Sequence, residues 1–438
     1  MKLKYFLWII FFLLASGAIA AKKCPIVFSA NNSTYPVPDS NSIKKQIALL
    51  KAKLYFPVST ARFYKTIGYK LAWLAPDTVK THVYDAMLLL DCIEQYGLNH
   101  ASYHPQQLLY EELKKITEQW LKVSDDEKIQ FDILLTDAIL TFTNNIHFGR
   151  FNPEFSPARI DKGTVNGFSA VTVIVESLSS HDFVHKILLV QPTNKQYTDL
   201  QYHLHLLAGL YQCDCYDVPN STMQKVAINL ERLRWLGNGD KDYIQINIPS
   251  YSLNYYQKDT AYRFKVIVGK PGTPTQILQS KLDLISTTEG EKTAVAPAVK
   301  DVLQTSGGNI TFRFPNANNL WLQGLSDKKA FSAKDRAGSA GFIFVEQPEK
   351  LASLLFKKDN KPDNTIALKN AVKSRKAKVF NLNTKIPIKI TYLTSGIEKG
   401  ILVNNKDVYN LDKALENRMF PPVRGKINKR IPLKNKLK

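Results

Sequence analysis

The spacing of apolar residues changes once along the chain. From about residue 41 to 218 they recur at helical intervals. The run 44–54 has this period, and Phe63 and Tyr64 lead to Leu71-Ala72-Trp73 before a Pro76-Asp77 break. Asp77 is suited to cap a helix running to Tyr96 and stopped by Gly97. Residues 98–104 read as a polar loop. The longest apolar helix is expected over 127–148, stopped by Gly149 and Pro153, and a last one covers 194–211. These elements predict an all-helical domain with its own buried core.

Past a short helix at 227–236 the period becomes two. Ile244, Ile246 and Ile248 fall on one face of a strand over 243–256, with Gln245 and Asn247 on the other. A strand at 262–268 is expected to pair with it, ending in the turn residues of 269–275. Residues 282–308 read as a polar connection, 349–356 and 366–378 as helices, and 386–394 as a strand. The fold class expected is therefore α+β, an all-helical N-terminal domain followed by a mainly-β one. Boundaries are drawn at 1–20, 21–40, 41–223, 224–412 and 413–438.

Residues 1–20 carry Lys2 and Lys4, an apolar run and Ala18-Ile19-Ala20, the layout of a secretory signal peptide. No cysteine directly follows that cleavage site, and no later stretch is apolar enough to span a bilayer. The expectation is export to the periplasm or cell envelope, without a transmembrane segment once the signal is removed. Losing the two lysines takes the formal charge from +21 to +19. Such a charge favours anionic wall polymers or phospholipid headgroups, and export argues against nucleic acid. A solvated lysine-rich surface without a dedicated partner is the plainer reading. The end of the chain is more pointed: seven of the 18 residues of 421–438 are Lys or Arg and none is acidic, which suggests a basic tail that lies on an anionic surface.

Cys24, Cys92, Cys213 and Cys215 all fall in the N-terminal half. In an oxidising compartment they allow up to two disulfides; Cys213 and Cys215 are too close to pair without strain, so each is expected to reach Cys24 or Cys92. His181 and His185 would share a helical face, with His203 and His205 further on. A zincin needs a glutamate directly after the first histidine, where Asp182 stands, so no metal site is assigned. No cofactor is assigned either.

The stretch 321–347, WLQGLSDKKAFSAKDRAGSAGFIFVEQ, runs from a strand end through a polar loop to Arg336, Ser339 and Gly341, then into Phe342-Ile343-Phe344-Val345 and a helix opening on Pro348. It resembles the active-site signature of the L,D-transpeptidases with a YkuD-type catalytic domain, in the subgroup with a helical scaffold domain. On that resemblance Gln323 stands where the family has its histidine, Phe342 where it has the nucleophilic cysteine, and Phe344 where it has an arginine. Other stretches share the likeness: Trp73, Tyr96-Gly97-Leu98, Leu135-Thr136-Asp137-Ala138, His147-Phe148-Gly149-Arg150, an Asn-x-Glu-Arg-x-Arg-Trp run at 229–235, Asn247-Ile248-Pro249-Ser250-Tyr251 with Val266-Ile267-Val268-Gly269-Lys270, and Asp407-Val408-Tyr409. The resemblance implies residues 41–223 as scaffold-like domain and 224–412 as a degenerate catalytic-type domain. It also implies that the capping segment the family carries between hairpin and active site is reduced here to 282–308.

The chemistry points the same way without the family. Acyl transfer needs a nucleophile within hydrogen-bond reach of a base. From 216 to 438 the chain has neither cysteine nor histidine. Ser339 and Ser326 remain as hydroxyls, with Lys328, Lys329 and Lys334 as conceivable bases. The leading expectation is a catalytically silent relative that binds peptidoglycan, another anionic envelope component or an envelope protein, with Trp321, Arg336, Phe342 and Phe344 as contact residues. The alternative is an active acyltransferase or hydrolase using a non-standard nucleophile such as Ser339. A purely electrostatic surface binder is a third.

Overall fold

The computed structural model describes residues 35–76, 81–212, 220–237, 239–258, 260–288, 310–325 and 328–421. The signal segment, Asp77, Cys24, Cys213, Cys215, Ser326, the capping stretch from 289 to 309 and the tail from 422 lie outside them.

The helical half comprises α1 (Ser40–Leu50), α2 (Pro57–Thr66), α3 (Val83–Asp91), α4 (Tyr110–Glu118), α5 (Asp125–Phe148), α6 (Pro157–Asp161), α7 (Ala170–Leu178), α8 (Phe183–Leu188), α9 (Lys195–Gln212) and α10 (Asn220–Arg234). It is organised around α5. Ser124 and Glu127 form a reciprocal capping box at its start, and it is buried around nearly its whole circumference. Its apolar positions meet α1, α2, α3, α7 and α8.

Two carboxylates on α5 hold the segments that cross it. Asp132 accepts hydrogen bonds from the N–H groups of Ala72 (3.0 Å), Trp73 (2.8 Å) and Leu74 (3.1 Å) and from the Tyr64 hydroxyl (2.6 Å). Asp137 accepts from Tyr55 N–H (2.9 Å) and Phe56 N–H (2.8 Å) and lies 2.7 Å from His104 Nε2. These acids are fully buried, and such burial is tolerated because non-helical N–H groups surround them. Asp161 does the same at the start of α2, accepting from Val58 and Ser59 N–H.

The helix expected over 77–96 is shorter. α3 is followed by a 3-10 turn, Ile93–Tyr96, which ends on Gly97 in the left-handed region. A Cβ at Gly97 would sit 2.9 Å from Ala227 of α10, so both the positive φ and the close approach require glycine. The helix expected at 227–236 starts earlier, at Asn220, through polar residues that carry little periodic signal.

The second half has β1 (Asp242–Asn247), β2 (Ser252–Gln257), β3 (Thr260–Gly269), β4 (Leu278–Thr287), β5 (Ile310–Arg313), β6 (Trp321–Gly324), β7 (Ala337–Ser339) and β8 (Ile343–Val345), then α11 (Pro348–Lys358), α12 (Asn364–Lys373), β9 (Lys378–Thr391), β10 (Ser395–Glu398), β11 (Ile401–Asn404) and α13 (Leu411–Met419). Together with the helical half this is an α+β architecture. Among the described residues the main sheet runs β2-β1-β9-β4-β5-β6-β8-β3-β7, and β2 also pairs with β3. The sheet therefore closes on itself, leaving β7 outside the ring. α11 and α12 cover one face.

Four expectations change here. The strand expected over 243–256 is a hairpin: Tyr251 N–H bonds the Ile248 carbonyl (3.1 Å), Tyr251 takes a positive φ, and the alternation resumes beyond the turn. The polar connection expected from 282 contains most of a central strand, β4. A register shift between Leu282 and Leu284 moves the inward face from Leu282 to Ile285 and breaks the period of two. The second helix ends at Lys373 and β9 begins at Lys378, well before the expected 386, because Arg375 turns through a positive φ. Residues 411–419, placed partly in the tail by sequence, form α13, with Leu415 and Met419 buried against Ala227 and Ile228.

α10 joins the halves, and from Val37 on the chain holds together as one unit. Its Asn-x-Glu-Arg-x-Arg-Trp residues are structural. Asn229 Oδ1 accepts from Thr394 N–H (2.8 Å), and the Arg232 guanidinium pairs with Asp412 of α13. Glu231 accepts from Phe151 N–H (2.6 Å) and Trp235 Nε1 (3.0 Å), and Arg234 bonds the Tyr197 hydroxyl (3.1 Å) and the Tyr96 carbonyl (2.5 Å).

Candidate functional site

The signature stretch lies on β6 and β8, between β5 and β3 in the sheet, and on β7, which pairs with the end of β3 outside the ring. β6 and β8 run parallel with Leu322 opposite Ile343 and Gln323 opposite Phe344. Leu322, Ile343 and Val345 point into the core beneath α11. By the pleat, Trp321, Gln323, Phe342 and Phe344 share the other face. Of the sequence-predicted contact residues, Trp321, Phe342 and Phe344 share this face, and Arg336 lines a cavity with Phe344.

Phe344 is buried, packed with Leu325 and Phe331, and Phe342, Ile267 and Ala330 lie against that cluster. Phe342 is half-buried, its ring centroid 5.0 Å from that of Trp321 at 47°. The Arg313 guanidinium lies 5.3 Å from the Trp321 ring.

Ser339 is 2% exposed, and its hydroxyl donates to the Phe342 carbonyl (2.5 Å). Its own carbonyl accepts from Lys270 N–H (2.9 Å) and the Thr273 hydroxyl (3.2 Å). The residue thus shapes the turn that Gly341 completes with φ +97°. Lys334 is exposed to solvent. Arg336 spends its guanidinium on the carbonyls of Val266 (3.1 Å), Tyr251 (3.0 Å) and Ala333 (2.8 Å), a clamp tying the loop to β3.

Beside this clamp Asp335 accepts from the Tyr251 hydroxyl (2.7 Å) and from the Lys406 ammonium (2.8 Å). Those bonds, Lys406 first, hold the Asp335 carboxyl down at about 2, while burial and Asp335 push the Tyr251 hydroxyl well above its usual range. Asp335, Lys406 and Arg336 rim a cavity of about 360 Å³ floored by Ile267, Ala330, Phe344 and Val408. Sequence reasoning missed Arg313, Asp335 and Lys406. Arg313 belongs to a strand with no recognised period, and the other two become neighbours only through the fold.

Among the described residues no cluster of His, Cys, Asp and Glu could hold a metal ion. α8 begins after Asp182, which caps it, so His181 precedes the helix and shares no face with His185. Cys92 is a half-buried free thiol, which burial and the nearby Asp91 push up. No helix among the described residues is long and apolar enough to cross a membrane.

A family model described as a Scaffold domain matches residues 58–204. An assigned L,D-transpeptidase of Haemophilus influenzae is 28% identical, the alignment covering 65% of this chain and 67% of the relative. The chain is similar to the L,D-transpeptidases, and the scaffold-domain match falls in its helical half. Solved L,D-transpeptidases from Mycobacterium smegmatis and Enterococcus faecium also match, at 12% and 13% identity and TM-scores of 0.21 and 0.20. The matches cover 35% and 37% of this chain and 60% and 62% of those chains, less than two thirds of their length, and overlaps so partial carry no argument.

Proposed function

We propose that this L,D-transpeptidase-like cell-wall protein is exported and catalytically silent, and that it binds peptidoglycan or an envelope partner through the face that holds the signature stretch. The observation that carries the reading is the pair Phe342 and Gln323. On the sequence resemblance, Phe342 stands at the nucleophile's place and Gln323 at that of the histidine base, and the Phe342 ring packs against Trp321. A phenyl ring has no lone pair to attack a carbonyl, and an amide does not take a proton near neutrality. Ser339 does not substitute, because its hydroxyl is buried and its proton is committed to the Phe342 carbonyl.

The test is incubation of the purified protein with tetrapeptide-stem muropeptides and, separately, with a carbapenem, followed by intact-protein mass spectrometry. The expected spectrum is that of the unmodified chain, with no new cross-link among the muropeptides. An adduct mapping to the sheet half, above all to Ser339, would overturn the silent reading.

A further inference from the structure

Three planar groups stand side by side across neighbouring strands on the site's face. β5 pairs with β6 so that Arg313 faces Trp321 and Thr311 faces Gln323. Trp321 in turn meets Phe342. Arg313 is exposed, and Trp321, Gln323 and Phe342 are half-buried, so the row is partly open to solvent. Among the described residues no hydrogen bond engages the Gln323 carboxamide. β3 pairs with β8 so that Ile267 faces Phe344.

We propose that Arg313, Trp321, Gln323 and Phe342 form a platform for a pyranose ring of the wall glycan, an inference that rests on the wall-binding reading above. The chemistry on the face is that of an amphipathic ring. Aromatic faces carry the negative lobe of the ring quadrupole and attract the polarised C–H groups of a sugar's apolar face. Hydroxyl and acetamido groups at the rim of that sugar need donors and acceptors, which the unengaged amide and the guanidinium supply. A peptide stem fits the site less well, because it would call on the polar groups of the signature loop. Those are consumed: Ser339 by the Phe342 carbonyl, and Arg336 by three main-chain carbonyls. The substitutions that take acyl-transfer chemistry away thus leave a surface suited to the neutral polymer.

The full chain is tested by co-sedimentation with intact sacculi. It is also titrated, with tryptophan fluorescence as readout, against glycan strands freed of their stems by an amidase and against free tetrapeptide stems. Sacculi and stripped strands are expected to bind and the stems not to. Trp321→Ala and Phe342→Ala should each weaken strand binding about tenfold or more, the equivalent of removing one well-packed contact. Trp321→Phe keeps a ring and should stay within about threefold of the parent, and it serves where the alanine variant does not fold. Sedimentation with sacculi but no binding of stripped strands would overturn the glycan inference and leave the wall reading standing. Failure to sediment with sacculi would overturn the wall reading and this inference with it. Stem binding that survives Trp321→Ala would also overturn the platform.

Discussion

At the scale of single residues, the fate of the signature stretch turns on what each side chain touches. Ser339, Gly341 and Arg336 keep turn, φ and clamp roles that need no reaction to explain them. The Tyr251–Asp335–Lys406 link beside them carries a pH dependence with a definite sign. Asp335 is held at about 2, below an ordinary carboxyl, so the folded chain binds fewer protons than the unfolded one between about 4 and about 2. Stability from this group is therefore present above about 4 and lost as pH falls through about 2. Comparing urea midpoints of the parent and Asp335→Asn across that window should show a difference that shrinks with acidification. A difference constant with pH would remove the link as its source. The proposed equivalence of Gln323, Phe342 and Phe344 to the family's histidine, cysteine and arginine rests on their flanks, Ser339, Gly341 and the Pro348 helix start. Asp335 and Lys406 could not be read from sequence, since nothing local marks a residue whose partner is about 70 positions away, and Arg313 lies on a strand too short to show a period.

At the scale of elements, the sequence was most informative where one period governed a whole segment. α5 is marked by its capping residues and its stop, and α9 and α11 fall within a few residues of their expected ends. β4 was lost because its bulge moves the inward face by an odd number of positions, so no single alternation spans it. β5 is too short to show a period at all. Gly97 is a test of how closely the elements fit. A methyl there meets the Ala227 backbone at 2.9 Å and the positive φ also penalises it. Gly97→Ala should cost about 2 kcal/mol or more, read as a lowered denaturation midpoint. A loss below about 0.5 kcal/mol, the usual size of a surface change, would show that α10 does not seat as closely as the backbone implies.

At the scale of the whole molecule, the change of period suggested two separate domains meeting near residue 223. That position falls inside α10, whose residues bond to both halves and to α13. A helix that serves two cores carries one continuous 3.6-residue period, so its shared role leaves no mark in the pattern. The parent should then melt in a single calorimetric transition. Asn229→Ala strips the Thr394 N–H of its acceptor and should cost about 1–3 kcal/mol, the price of a buried unsatisfied donor. If the parent already melts in two steps, α10 is a linker between independent units rather than a shared element.

The closure of the sheet has a consequence for the order of events during synthesis. β1 lies beside β9 in a parallel pair, Ile244 opposite Ile388, and about 130 residues of chain separate the two strands. At roughly 5–20 residues per second a ribosome takes on the order of ten seconds to deliver the partner. Throughout that interval one edge of β1 presents open N–H and C=O groups, an invitation to pair with another nascent chain. A protein built this way benefits from a binder that holds the half-made sheet apart until its last long strand emerges.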